Sequence, residues 1–190
     1  MLKTDFSTDT QNAYQAEGPP RRFGPTRSNP SRSEPNSSNR GQQTDVRVSM
    51  TDATDPLASF SEHAVSLDEA DWPSVEHYFQ GMKFEAPELR ELIRAAAHPA
   101  DARKLAKKHR RRIRADWKRI EQTVMTRGVY VKCRSHTDVA EQLLATDDRR
   151  IVETSQYDYQ WGCGRDGRGN NAYGNILMAV RAKLREQSGG

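Results

Sequence analysis

Three prolines, Pro73, Pro87 and Pro99, stand 14 and 12 residues apart, and they forbid a long uninterrupted helix across this part of the chain. Each heads a stretch with helical apolar spacing. Proline is accepted in a first helical turn, where its missing N–H would have had no partner. After Pro73, Val75, Phe79 and Met82 fall on one face as far as Phe84. After Pro87 the stripe is Leu89, Leu92, Ile93 and Ala96. From Pro99 the stripe runs Ala102, Leu105, Ala106, His109, Ile113, Trp117, Ile120, Val124, which reads as one helix. Thr137 is expected to cap a helix over Asp138 to Ala145, and Ile176, Leu177, Val180 and Leu184 mark a last one. Only Val46–Val48 and Arg150–Glu153 read as strands. The expectation is a mainly α fold with a few short strands, in a single domain over residues 46–190.

The front of the chain has a different composition. From Gly18 to Gln43, 18 of 26 residues are Gly, Pro, Ser, Asn or Gln, and Phe23 is the only large apolar side chain. Such a segment buries too little surface to offset the entropy of ordering it, so residues 1–45 are expected to be a disordered polar tail. No apolar run approaches the ~20 residues of a membrane span, and no apolar signal segment follows the start. Two cysteines, Cys133 and Cys163, are too few for a zinc cluster or a disulfide framework and suit the reducing cytoplasm. The five histidines show no metal-ligand spacing, so neither a metal nor a cofactor is expected.

Three constellations carry chemistry. Glu76, Gln80 and Lys83 recur at i, i+4, i+7 and line one helix face. Taken alone that is usually a solvated surface, but Trp72, Tyr78, Phe79 and Phe84 crowd this helix. A carboxylate beside such bulk loses hydration and can gain proton affinity, as acid–base chemistry requires. In Tyr157-Asp158-Tyr159-Gln160-Trp161-Gly162 one acid sits among aromatics; the bland reading is a turn hydrogen bond. Paired, Glu76 and Asp158 suit hydrolysis of a glycosidic bond, in which charge develops on the sugar. Trp117 and Trp161 offer faces for a base.

The third is the basic run Arg103–Arg119, with ten Lys or Arg against Asp116, net +9 over 17 residues. It is a solvated face or a weak platform for a nucleic-acid backbone. The string Gly162-Cys-Gly164-Arg-Asp-Gly167 matches a dinucleotide fingerprint but lacks its βαβ setting. Arg165 or Arg168 in that loop could still hold a phosphate.

These residues resemble the YbiA-like N-glycosidases of the NADAR superfamily. The matching pieces are Trp72-Pro73-Ser74-Val75-Glu76-His77-Tyr78-Phe79-Gln80 with Lys83-Phe84, Arg114-Ala-Asp-Trp117, Val124-Met125, Lys132, Leu143-Leu144-Ala145-Thr146, and Ile151-Val152-Glu153. Asp158-x-x-Trp161-Gly162, Gly169-x-Asn171-x-x-Gly174 and Leu177-Met178-x-x-Arg181 complete the set. The resemblance implies a mainly helical hydrolase of N-glycosidic bonds. Its implied substrates are the ribosylamino-pyrimidine 5′-phosphates of riboflavin biosynthesis, with ADP-ribosylated guanine, or ADP-ribose and nucleic-acid binding without turnover, as the alternatives. It implies Glu76, Trp117 and Asp158 as functional residues; Lys83, Gln80, Trp161 and Asn171 are expected to contact substrate. Leu57-Ala58-Ser59-Phe60 stands where the family shows Phe-Ser-Asn-Phe, and Cys133 replaces an aromatic. The first change removes an amide expected to touch sugar or base.

Overall fold

Pro87 and Pro99 each occupy the first position of a helix, while Pro73 does not. Ser74 caps the helix after Pro73, its Oγ accepting the His77 N–H at 3.3 Å, so that helix begins at Val75. The computed structural model describes residues 44–188. In order the elements are β1 (Val46–Val48), β2 (Val65–Leu67), β3 (Ala70–Trp72), α1 (Val75–Gly81), α2 (Pro87–Arg94) and α3 (Pro99–Lys108). A 3₁₀ turn (Arg110–Arg112), α4 (Trp117–Ser135), α5 (Thr137–Leu144), β4 (Ile151–Glu153) and α6 (Ala172–Ser188) follow. The mainly helical expectation holds. The polar tail expected over residues 1–45 lies, but for its last two positions, outside the described residues.

All seven residues of α1 are buried, because α2, α3 and α4 pack around it. The main core joins α1, α4, α5 and α6 through Tyr78, Met125, Val129, Leu143, Tyr173 and Leu177. A smaller cluster, Phe84, Leu89, Ile93, Ala102 and Ala106, fastens α2 to α3. Leu92, expected in the α2 stripe, is 43% exposed.

The long helix expected from Pro99 is two helices. His109 leaves helical geometry (φ −95°, ψ 19°) and Ile113 is extended (φ −63°, ψ 136°). A continuous helix would set Lys107 over Arg111, Lys108 over Arg112 and Arg110 over Arg114 as like-charge i, i+4 pairs. Arg114 meanwhile finds better partners outside a helix: its N–H donates to the Lys83 carbonyl at 2.9 Å and its Nε to Asp116 at 2.6 Å. The basic run therefore spans three elements and is no single helix face. Ion pairs to Glu76, Asp101, Glu88, Asp116 and Glu121 occupy Arg103, Lys104, Arg112, Arg114, Arg119 and Lys118. Likewise α5 starts at Thr137 itself, with His136 as its cap residue.

Sequence reading missed the β2–β3 hairpin. Its two-residue turn, Asp68-Glu69, holds both residues left-handed (φ 52° and 62°), a conformation usually marked by Asn-Gly. Arg127 and the Tyr78 hydroxyl bind Asp68 and steady the turn. The two strands read from sequence form a parallel pair: β1 lies beside β4 with Val48 opposite Glu153. Their pairing joins segments about 100 residues apart, beyond any local signal.

Helix α6 crosses β4 at Gly174, where a Cβ would strike the backbone carbonyl of Ile151. Gly174→Ala should therefore cost about 1–3 kcal/mol, read as a lower urea midpoint. An unchanged midpoint would mean that this crossing is not tight.

Candidate active site

The polar edge of α1 opens into a cleft of about 380 Å³. Its lining includes Glu76, Phe79, Gln80 and Lys83 from α1 and the turn after it, and Arg103 from α3. Glu153, Asp158 and Trp161 come from β4 and the loop beyond it. The two acids paired from sequence thus share one hollow, although they are 82 positions apart in the chain. Trp161 forms an aromatic wall with Phe79, ring centroids 5.3 Å apart and nearly perpendicular.

Glu76 is fully buried. What meets it is not bare hydrocarbon, as the sequence argument supposed, but three donors. Its Oε1 accepts Gln80 Nε2 at 2.7 Å and Arg103 Nε at 2.8 Å. Its Oε2 lies 3.1 Å from Ser59 Oγ, which has a single proton to share with the Met50 carbonyl 3.2 Å away. Ser59 stands where the expected amide is missing, and it lies beneath Glu76 instead of at the cleft wall.

Asp158 meets both descriptions offered for it. Its Oδ1 accepts the N–H groups of Gln160 and Trp161, at 2.9 and 2.7 Å, and shapes the turn. Its Oδ2 has no hydrogen-bond partner among the described residues and is left for the cleft.

Gln80 is nearly buried, and its amide nitrogen is held on Glu76. That orients its Oε1 as an acceptor, which has no partner among the described residues. A buried acceptor without a donor costs about 1–3 kcal/mol; a ligand hydroxyl or N–H would satisfy it.

Lys83 Nζ lies 5.2 Å from the Phe79 ring centroid and 5.7 Å from that of Trp117. Burial is the main reason its pKa is held below the usual lysine range; Arg103 and Lys118 add repulsion, while Glu76 and Glu121 oppose it. Arg103 stacks over Phe60, 4.6 Å from the ring centroid, and reaches the cleft beside Glu76.

Two residues expected at substrate stand elsewhere. Trp117 is buried behind Phe79, centroids 5.0 Å apart, and is not a cleft wall; it supports Phe79 and Lys83. Asn171 is buried, with both ends of its amide committed to β4: Oδ1 accepts the Glu153 N–H at 2.8 Å and Nδ2 donates to the Ile151 carbonyl at 2.8 Å. It braces the strand that carries the cleft's far wall. Arg165 and Arg168 do not line the cleft either.

Sequence reading passed over Arg103 and Glu153. Arg103 was one of ten cations in a run, with nothing local to single it out. Glu153 is nearly buried, and its two oxygens accept the N–H groups of Met50 and Ser155, at 3.3 and 2.9 Å. It ties together two loops that line the cleft. Its strand position was legible; its partners were not.

The NADAR domain model matches residues 42–185. The chain belongs to the NADAR domain family. This NADAR domain is 37% identical over 132 residues to an N-glycosidase of Nostoc punctiforme, covering 68% of this chain and 85% of that one. It is 32% identical over 136 residues to N-glycosidase YbiA of Escherichia coli, covering 72% and 85%. The solved NMR structure of E. coli YbiA superposes with a TM-score of 0.68 at 29% identity, over 77% of this chain and 89% of that one. A riboflavin biosynthesis protein of Vibrio vulnificus is 39% identical over 132 residues, 70% of this chain but only 36% of that longer protein. Among the described residues of this NADAR domain, no helix is long and apolar enough to cross a membrane.

Proposed function

We propose that the cleft hydrolyses the N-glycosidic bond of ribosylamino-pyrimidine 5′-phosphates, releasing the pyrimidine and ribose 5-phosphate. The activity class is that of the relatives: the chain is an N-glycosidase, a hydrolase of N-glycosyl compounds. The riboflavin assignment draws support from the Vibrio relative's name. The observation that carries the sugar substrate is Gln80 Oε1, a buried acceptor beside a carboxylate, suited to a ribose hydroxyl. Arg103 and Lys83 suit the phosphate, in place of the Arg165/Arg168 loop, and Trp161 suits the pyrimidine.

In this reading a water oxygen bonds the anomeric carbon as the C–N bond breaks. The bond's electron pair goes to the leaving nitrogen, which takes a proton from solvent water. Hydrogen bonding favours a division of labour between the two carboxylates. Glu76 is anchored by its donors and acts as the fixed anion opposite the oxocarbenium charge. Asp158, with Oδ2 unshared, takes the proton of the attacking water. Formate, a small diffusible carboxylate, should then restore part of the activity of Asp158→Ala and none of that of Glu76→Gln. Equal rescue of both, or of neither, would sink this division.

Lys83 offers a covalent branch: its unprotonated amine adds to the anomeric carbon of the ring-opened iminium form of the substrate. The bond to the base nitrogen breaks with its electron pair and the lysine's proton going to the leaving amine. Water then hydrolyses the protein-linked imine to free ribose 5-phosphate and the lysine amine. Because burial depresses its pKa, the reactive form gains population at a lower pH than for an ordinary lysine. Borohydride trapping should yield a protein-linked sugar, absent in Lys83→Ala, whose yield rises with pH along a curve lying at lower pH than that of an ordinary lysine. No adduct during turnover would remove the branch.

The substrate is tested by assaying a ribosylamino-pyrimidine phosphate and ADP-ribosylguanosine side by side, with released base followed by mass spectrometry. Faster release of guanine would overturn the riboflavin reading. Salt-sensitive DNA binding without release of either base, unchanged by Glu76→Gln, would identify a binding module acting through residues 103–119.

A further inference from the structure

The glycine-rich loop 162–169 supplies no group to the chemistry above, yet it helps build a second hollow. Along the parallel pair, Val48 and Glu153 point inward while Arg47, beside Val152, is exposed on the opposite face. Arg150, one residue before β4, falls on that same outer face by alternation. The loop folds back toward β4 through the Cys163 N–H, which donates to the Glu153 carbonyl at 3.1 Å. The Gly169 N–H then closes the loop on the Cys163 carbonyl at 2.7 Å. Gly164 permits the fold: its φ is 67°, and a Cβ there would lie 2.7 Å from the Tyr159 ring.

The hollow has a volume of about 310 Å³, and Arg47, Arg150, Arg165, Thr154 and Gln156 are among its lining residues. It shares only Glu153 and Thr154 with the cleft, so the two hollows are separate depressions flanking the end of one strand. Glu153 forms no ion pair with these arginines: it is nearly buried, and its two oxygens accept backbone N–H groups. Asp45 pairs with Arg150 at 3.6 Å, and Asp166 pairs with Arg168 at 3.8 Å. Arg47 and Arg165 have no acidic partner among the described residues. Three guanidinium groups brought from three segments into one concavity repel one another, and a shared anion turns that repulsion into binding. Arginine's planar fork matches phosphate oxygens in pairs.

We propose that this hollow is an anion site distinct from the cleft, binding a phosphate or diphosphate group through Arg47, Arg150 and Arg165. Calorimetric titration of the full chain with inorganic pyrophosphate tests it, using wild type, Arg47→Ala/Arg165→Ala and Lys83→Ala. Both arginines are exposed, so the double variant should fold and keep its glycosidase kcat. Pyrophosphate should bind wild type and Lys83→Ala alike and at least tenfold more weakly to the double variant, with affinity falling as salt rises. Absence of binding at millimolar pyrophosphate would overturn the proposal, as would a loss confined to Lys83→Ala, which would put the anion in the cleft.

Discussion

Glu76→Gln is expected to lower kcat by about 100-fold or more while leaving the protein folded. The substitution preserves shape, removes the charge and turns one acceptor oxygen into a donor. Gln80 Nε2, Arg103 Nε and Ser59 Oγ converge on this carboxylate, so its position does not depend on substrate. A charge held in place by preformed donors needs no reorganisation as the sugar becomes cationic, which is why its removal should appear in kcat more than in KM. The amide leaves Arg103 beside a neutral partner, and a fall in thermal midpoint of a few degrees is expected from that pairing alone. Asp158→Asn should also lose about 100-fold, through the proton it no longer accepts. Released pyrimidine measured at saturating substrate, with circular dichroism on the same samples, decides the matter. Near-normal turnover in both variants would overturn the two-carboxylate site.

Lys132→Ala is expected to be the most damaging stability change, at about 3–5 kcal/mol. Lys132 is fully buried in α4, and burial pushes its pKa down from 10.5 to about 8. Its three protons have three acceptors: the carbonyls of Pro56 and Ala58, at 2.6 and 2.7 Å, and Ser61 Oγ at 3.1 Å. These contacts fasten the irregular segment before the hairpin, including Ser59 under Glu76, to the central helix. Alanine would open a cavity and take the ammonium donor from the Pro56 and Ala58 carbonyls, which would keep only their contacts with Ser61, at 3.3 Å and at 3.0 and 3.4 Å. Lys132→Met fills most of the volume, so its smaller expected cost of about 1–3 kcal/mol isolates the unmade hydrogen bonds. Urea unfolding of the three proteins gives both values; an alanine variant within about 1 kcal/mol of wild type would show that the tripod contributes little. With total stabilities of about 5–15 kcal/mol, the expected loss can unfold the domain at body temperature.

Much of the fold was legible wherever a local pattern set it. Pro87 and Pro99 marked helix starts because a proline's constraint acts within its own turn, and the Val46–Val48 alternation marked a strand. Periodicity misled from Pro99 to Val124: an apolar stripe survives a broken helix when both pieces face the same core. The break itself came from Arg114 finding the Lys83 carbonyl and Asp116. The site shows the same division. Glu76, Gln80 and Lys83 were legible as one face of one helix, whereas Arg103, Glu153 and Ser59 join them only through contacts across the chain. Trp117 and Asn171 carried the right residue types in the right motifs, yet they brace the cleft and do not line it.

By itself the sequence determined the helical character, the family and the α1 face that carries the polar groups, because spacing along one element is a local property. Only the tertiary structure decided that Asp158 opens onto the same hollow as Glu76, that Gln80 keeps an unmet acceptor there, and that Arg47, Arg150 and Arg165 gather behind β4. Those outcomes depend on which distant groups come within hydrogen-bond reach once the core has packed, and no spacing along the chain encodes that distance.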